Sequence, residues 1–186
     1  MTVVRCVALL KGVNVGRAKR VAMADLRAML GDLGYRDVVT HLQSGNAVFT
    51  TARPVGAVIS AIEQGLSAEL GVDARVIVRT HRQLVEAIAA DPFAEIATDE
   101  SRHLVGFFSA TPEASRLTAF EEFVAARNPD PEVVGLHRIS ADHCYLWCPQ
   151  GVHGSLFGAV DWDRKLGVTV TMRNFATARK LVELSG

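Results

Sequence analysis

Residues 36–51, RDVVTHLQSGNAVFTT, decide the fold. The runs 36–42 and 47–51 flank Gln43-Ser44-Gly45-Asn46, and Gly and Asn tolerate the positive φ of a tight turn, so this stretch predicts a hairpin. On its N-terminal side Met23, Leu26, Met29, Leu30 and Leu33 recur at helical spacing, and Gly34 is a stop signal. Further back, VVRCVALL (3–10) is a Val- and Leu-rich run that ends at a glycine-bearing loop, as a buried strand does. On the C-terminal side Pro54 opens a segment with Val58, Ile59, Ile62, Leu66 and Leu70 on one face, closed by Gly71. ARVIVR (74–79) is the next strand. The order β-α-β-β-α-β within 80 residues is the ferredoxin-like unit.

The remainder predicts a second plait. His81 to Ala90 reads as a short helix that stops before Asp91-Pro92, because the residue before proline is pushed out of the helical region. The polar stretch 94–102 serves as a linker. HLVGFFSA (103–110) is a strand, and Thr111 and Pro112 open a helix running to about Arg127. Residues 133–140 and 143–148 form a second hairpin around Ala141-Asp142. A helix near 155–166, a strand at 167–171 and a final helix opened by Arg173-Asn174 complete the reading. The predicted class is therefore α+β: two ferredoxin-like domains, 1–80 and 95–186, joined by 81–94, each an antiparallel sheet with helices on one face.

Of the 186 residues 49% are hydrophobic and 22% charged, which supports a packed core and excludes wholesale disorder. No apolar run approaches the roughly 18 residues of a membrane helix. Arg5 interrupts the N-terminal apolar run, which lacks a small-residue cleavage site, so a signal peptide is not predicted and a cytoplasmic location is. Three cysteines at unremarkable spacing define no disulfide framework. Net neutrality conceals an uneven distribution. Residues 1–80 carry +4, residues 81–163 carry −8 and residues 164–186 carry +4, and no acid precedes Asp25. Two basic segments at opposite ends of the chain could converge into one patch that concentrates anions. Pairing with the acidic middle is the plainer alternative.

The loop Lys11–Arg20 joins a strand to a helix with two glycines and four cationic side chains. Exposed backbone N–H groups, a helix N-terminus and these charges make anion binding coherent. It is neither a Walker loop nor a dinucleotide fingerprint, and a structural turn accounts equally for the glycines.

The run ALLKGVNVGRAKRVAMADLRAMLGDLGYRDVVTHLQSGNAVF (8–49) resembles the opening of the family called domain of unknown function 1697, and GVTVTMRNFATARKLVEL (167–184) is similar to its closing motif. The resemblance implies two α/β-plait domains in a cytoplasmic bacterial protein, and no reaction. Its motif falls here on Lys11, Gly12, Asn14, Gly16, Lys19, Met23, Asp25, Leu26, Ser44, Gly45, Asn46, Arg173, Asn174 and Thr177. Lys11 stands where arginine is usual, Arg17 replaces a glycine, Ala18 and Ala22 replace an asparagine and a proline, Phe175 stands for tryptophan, and Leu156 for lysine. Losing a glycine and an asparagine weakens the loop as a backbone cradle, while Arg17 adds charge.

The expected ligand contacts are Lys11, Asn14, Lys19, Ser44, Asn46, Arg173 and Asn174. Lysine and arginine supply charge, arginine as a bidentate clamp, and the small polar side chains orient. Turn chemistry is the competing role for Ser44 and Asn46. His137, His143, Cys144 and Cys148 lie in one hairpin without the paired spacing of a zinc site, so neither metal nor cofactor is expected. No nucleophile elbow exists, Ser155 suits a helix cap, and Asp161 and Asp163, two apart, face differently on a helix. Strand 3–10 lacks aromatics and 47–51 offers only Phe49, so base stacking on the sheet is disfavoured, while contact with a nucleic-acid backbone through Lys and Arg stays open. An anionic small molecule is the first partner predicted. An enzyme acting on that ligand at the domain junction, with Asp25 the nearby acid, and a protein interaction module are the alternatives. Oligomeric state is open.

Overall fold

The two-residue pleat of an extended chain along Val4–Leu10 places Cys6, Ala8 and Leu10 on one face of the first strand and Val7 and Leu9 on the other, and all five are buried. The structure is a computed structural model that describes residues 3–15, 20–131 and 135–186. Two units divide the chain: residues up to Ile88 together with Arg179–Gly186, and Ala89–Ala178.

In the first unit β1 (Val4–Leu10), α1 (Met23–Asp32), β2 (Arg36–His41), β3 (Asn46–Thr51), α2 (Val55–Leu70) and β4 (Val76–Thr80) follow the predicted order. The sheet runs β2-β3-β1-β4, antiparallel throughout. Leu26 and Leu30 of α1 and Val58, Ile62 and Leu66 of α2 recur every four residues and are fully buried against Cys6, Ala8, Phe49 and Val78. Gly71 ends α2 in the left-handed conformation. The hairpin turn differs from the predicted one. Positive φ falls on Leu42 and Gly45, whereas Asn46 already belongs to β3. Its amide nitrogen donates to His41 O at 2.8 Å, so the asparagine closes the turn from within the strand. The helix α3 (His81–Ala89) leaves β4 directly, with Thr80 N donating to Gln83 Oε1 at 2.9 Å.

The second unit contains β5 (His103–Phe108), α4 (Ala114–Ala125), β6 (Leu136–Ile139), β7 (His143–Trp147), α5 (Leu156–Ala159), α6 (Trp162–Leu166), β8 (Val170–Asn174) and the start of α7 (Phe175–Ser185). Its sheet order, β6-β7-β5-β8, repeats the first with β5 in the place of β1. Each sheet is thus an antiparallel plait packed with helices, the α+β class expected.

Three boundaries move. The helix expected from Thr111 begins at Ala114: the strand pairing continues past β5 through Ser109 N donating to Thr169 O at 2.9 Å, proline at 112 keeps Thr111 out of the helical region, and Glu113 is still extended. The segment 155–166 is two helical turns rather than one helix. Ser155 Oγ accepts from Gly158 N, Val160 is extended, and Asp161 Oδ1 accepts from Arg164 N at 3.1 Å, restarting the helix. The last strand runs over 170–174 instead of 167–171: its register with β5 runs from Val170 opposite Phe108 to Asn174 opposite Leu104, and Asp163 Oδ1 takes the Val170 N–H at 2.9 Å. Arg173 and Asn174 accordingly end a strand. No helix among the described residues is long and apolar enough to cross a membrane.

Candidate functional site

A strand–helix–strand crossover brings the ends of β1 and β2 to the same side of the sheet, so the loop after β1 meets the turn after β2. Leu10 N donates to Gly45 O at 2.8 Å and Lys11 N to Arg75 O at 2.9 Å. Gly45 (φ +79°) sits so close that a Cβ there would lie 2.5 Å from Val13 Cγ2 and 2.8 Å from Leu10 Cβ. Asn14, itself at φ 57°, locks the corner. Its Nδ2 donates to Val21 O at 2.8 Å and to Gln43 O at 2.7 Å, and its Oδ1 accepts from Val21 N at 2.9 Å. Asn46 is fully buried, its Nδ2 donating to His41 O and, at 3.1 Å, to Ser44 Oγ.

Four predicted residues, Lys11, Asn14, Ser44 and Asn46, therefore share one corner. The two asparagines are its frame, since their amides bind backbone and turn. Lys11, half-buried, and Ser44, exposed, form its surface, with exposed Arg20 and Asp25 nearby in the chain. Gly12 is in the left-handed region with nothing within 4 Å of its absent Cβ, which leaves the loop open beside Lys11. Lys19, with Gly16 and Arg17, lies outside the described residues.

Arg173 and Asn174 belong to the second sheet. Asn174 Oδ1 accepts from Thr177 N at 2.9 Å, so the side chain caps α7. Arg173 is buried; its Nη1 donates to Thr171 Oγ1 at 2.9 Å and to Met172 O at 2.7 Å. Burial draws its pKa down to about 10, which leaves it charged at neutral pH.

The second sheet also gathers titratable groups that the sequence reading passed over. Along β7, Cys144 and Leu146 enter the helix-side core, while the alternate residues His143, Tyr145 and Trp147 occupy the opposite face. There His143 Nδ1 lies 2.7 Å from Asp142 Oδ1 and its Nε2 lies 2.8 Å from the Tyr145 hydroxyl. With Asp142 ionised, the proton sits on Nδ1 and the phenol donates to Nε2. Tyr145 lies beside Val105, with Arg173 on the other side of Val105 in the same row. Burial first, then the carboxylates of Asp91 and Asp142, raises the phenol's pKa, so Tyr145 keeps its proton.

A second acid–imidazole pair is wholly enclosed. His103 Nε2 is 3.1 Å from Asp91 Oδ1, an ion-pair distance without hydrogen-bond alignment, and Asp91 Oδ2 has no hydrogen-bond partner. The His103 ring stacks on Phe175 with centroids 3.7 Å apart. Position 91 reads in the sequence only as a helix stop before Pro92, and position 142 only as a turn. Strict alternation in HCYLW was the available signal for β7.

Cys144, fully buried, has its thiol pushed up to about 12 by burial, and Cys148 shifts the same way. His137 instead meets Glu121 at 2.8 Å. Among the described residues no group of three His, Cys, Asp or Glu side chains is placed to hold a metal ion. The arrangement can hold a proton on buried Tyr145 and can present cations at its surfaces; Tyr145, 1% exposed, is itself closed to a ligand.

Comparison with known proteins agrees with this architecture. No curated protein matches the chain. A solved structure, described as that of conserved bacterial protein SP0830 from Streptococcus pneumoniae, superposes with a TM-score of 0.76 at 19% identity, covering 100% of both chains. At that identity the likeness speaks to fold alone. A family model described as protein of unknown function (DUF1697) matches residues 3–136. With most of its length matched by that model, the chain belongs to the DUF1697 family.

Proposed function

We propose that this chain binds an anionic, phosphate-bearing ligand at the corner of its first plait, with Lys11 and Lys19 supplying charge and the Ser44 hydroxyl orienting the ligand. One observation carries the reading: a segment with no acid before Asp25 is fixed by Asn14 against the β2–β3 turn, leaving Lys11 beside an open glycine. A cation held on a rigid frame loses little conformational freedom when it meets a phosphate. Asn14 and Asn46 act through that frame. Arg173 and Asn174, engaged inside the second unit, are the charge and the cap of its last strand and helix. This reading therefore rests on the first unit alone.

Titration calorimetry and thermal shift against phosphate, nucleotides and sugar phosphates test it. A ligand at about 100 times its dissociation constant adds about 2.7 kcal/mol of stability. The expected result is a stabilising ligand whose affinity falls about tenfold or more in Lys11→Ala or Lys19→Ala, with Arg173→Lys binding as the parent does. Equal stabilisation of the parent and both lysine variants removes the corner from consideration.

A further inference from the structure

A second basic surface lies wholly within the other unit. The helix α4 carries Arg116 and Phe123 at i and i+7, which at about 100° per residue places them within roughly 20° of one line, and Arg127 lies two residues past its end. Its acids Glu121 and Glu122 fall about 120–140° away from that line by the same count. Beside α4, the two turns α5 and α6 complete a groove of about 470 Å³, lined by Arg116, Phe123, Val160, Asp161, Arg164 and Lys165.

The cations are positioned rather than merely present. Lys165 Nζ sits 3.6 Å from the centroid of the Phe123 ring and Arg127 Cζ sits 4.4 Å from it. Arg116 Nη1 donates to Arg164 O at 3.1 Å. The Arg116 side chain also lies across Gly167, where a Cβ would come within 2.7 Å of Nε. Among the described residues, no carboxylate lies within 4 Å of the cationic nitrogens of Arg116, Arg127, Arg164 or Lys165. Asp161, the one acid of the lining, accepts from Arg164 N as a helix cap. Three cations, Arg116, Arg164 and Lys165, facing one acid leave the groove positive, and Lys165 is held by an aromatic ring that also carries Arg127.

We infer that this groove binds a linear chain of phosphates, as in the backbone of a nucleic-acid strand or in inorganic polyphosphate. Three observations select that class. Arg116 and Phe123, with the cations on its ring, are seven residues apart, about 10 Å along the helix, a span longer than one phosphate group. The Phe123 ring is engaged by two cations, which suits contact with charge rather than base stacking. Of the seven lining residues Arg116, Arg164 and Lys165 are cationic and Asp161 alone is acidic, the balance that draws a chain of phosphates. Guanidinium forks match phosphate oxygens bidentately.

The experiment is fluorescence anisotropy of a labelled 12-nucleotide single strand with the full chain over a salt series, with inorganic polyphosphate as competitor. Each phosphate neutralised contributes about 0.7 to the salt slope, so three or four contacts give a slope of about 2–3. Arg164→Glu/Lys165→Glu is expected to weaken binding at least tenfold and to lower the slope by more than one. Phe123→Leu weakens it several-fold by releasing two cations. Arg82→Glu, removing an exposed cation of α3, stays within twofold of the parent. Competition by polyphosphate marks the shared phosphate chemistry; a polymer that binds alone, strand or polyphosphate, identifies the source. The inference fails if neither polymer binds at 50 mM salt, or if Arg82→Glu weakens binding as much as the groove pair does. Lys11→Ala, measured alongside, reports on the corner of the first plait separately.

Discussion

Cys144 shows how one position is governed by its surroundings. A thiol is a weak hydrogen-bonding group, and in β7 it takes a core site between Leu146 and the helices, where burial lifts its pKa to about 12 from an ordinary value near 9. A group whose folded pKa is raised contributes stability that is whole below its unfolded pKa and is lost as pH rises through the folded one. For Cys144 that window runs from pH 9 to about 12. The native protein is therefore expected to leave Cys144 unmodified by a thiol reagent at pH 8, with modification only on unfolding, and to lose stability progressively above pH 9. Mass spectrometry after brief alkylation checks the first point, and rapid labelling of folded protein contradicts it. The alternation HCYLW made the two faces of this strand legible, yet which face was core depended on where α4 lies.

At the scale of elements the corner between the Lys11–Val15 loop and the 42–45 turn is the most tightly specified feature of the first plait. Gly45 combines a positive φ with contacts under 3 Å to Val13 and Leu10 if a Cβ were added. Gly45→Ala is expected to cost about 2–4 kcal/mol, the sum of left-handed strain and displacement of packed neighbours, by urea denaturation. A loss under about 0.5 kcal/mol shows that the turn relaxes without harm. The Gln-Ser-Gly-Asn sequence announced the hairpin, but the contact that makes this glycine obligatory comes from a loop thirty residues away. The split of 155–166 into two turns has a similar origin. Asp161 is compatible with a helix interior, and only its capping of Arg164 N restarts the chain there.

For the whole molecule, the end of the chain returns to the first unit. Arg5 Nη2 donates to Leu184 O at 3.2 Å, and His81 Nδ1 lies 2.9 Å from Ser185 Oγ, whose hydroxyl donates to Leu181 O at 2.7 Å. Leu181 is fully buried. Deleting residues 179–186 is expected to destabilise the protein by about 3–5 kcal/mol, through lost apolar burial and stranded donors, and so to lower Tm by about 6–15 °C in a chain of this size. Differential scanning calorimetry measures it, and an unchanged melting profile contradicts the assignment of this segment to the first unit. Sequence periodicity identifies α7 as amphipathic without saying which unit its last two turns complete.

Local chemistry alone determined the two plaits. Apolar periodicity, glycine stops and the turn at 42–46 are short-range signals, and each constrains only a few neighbouring dihedrals. The corner's surface charge was equally legible, because Lys11 lies in a run without acids. What tertiary structure decided is the use of each polar group. Asn14 and Asn46 became frame because two distant loops meet, and Arg173 became a buried strand residue because pairing with β5 extends to Asn174. The cation groove of α4, α5 and α6 formed because Phe123 and Lys165, 42 positions apart, come within 3.6 Å. Burial and long-range contact set these roles, and neither is encoded in the spacing of residues along the chain.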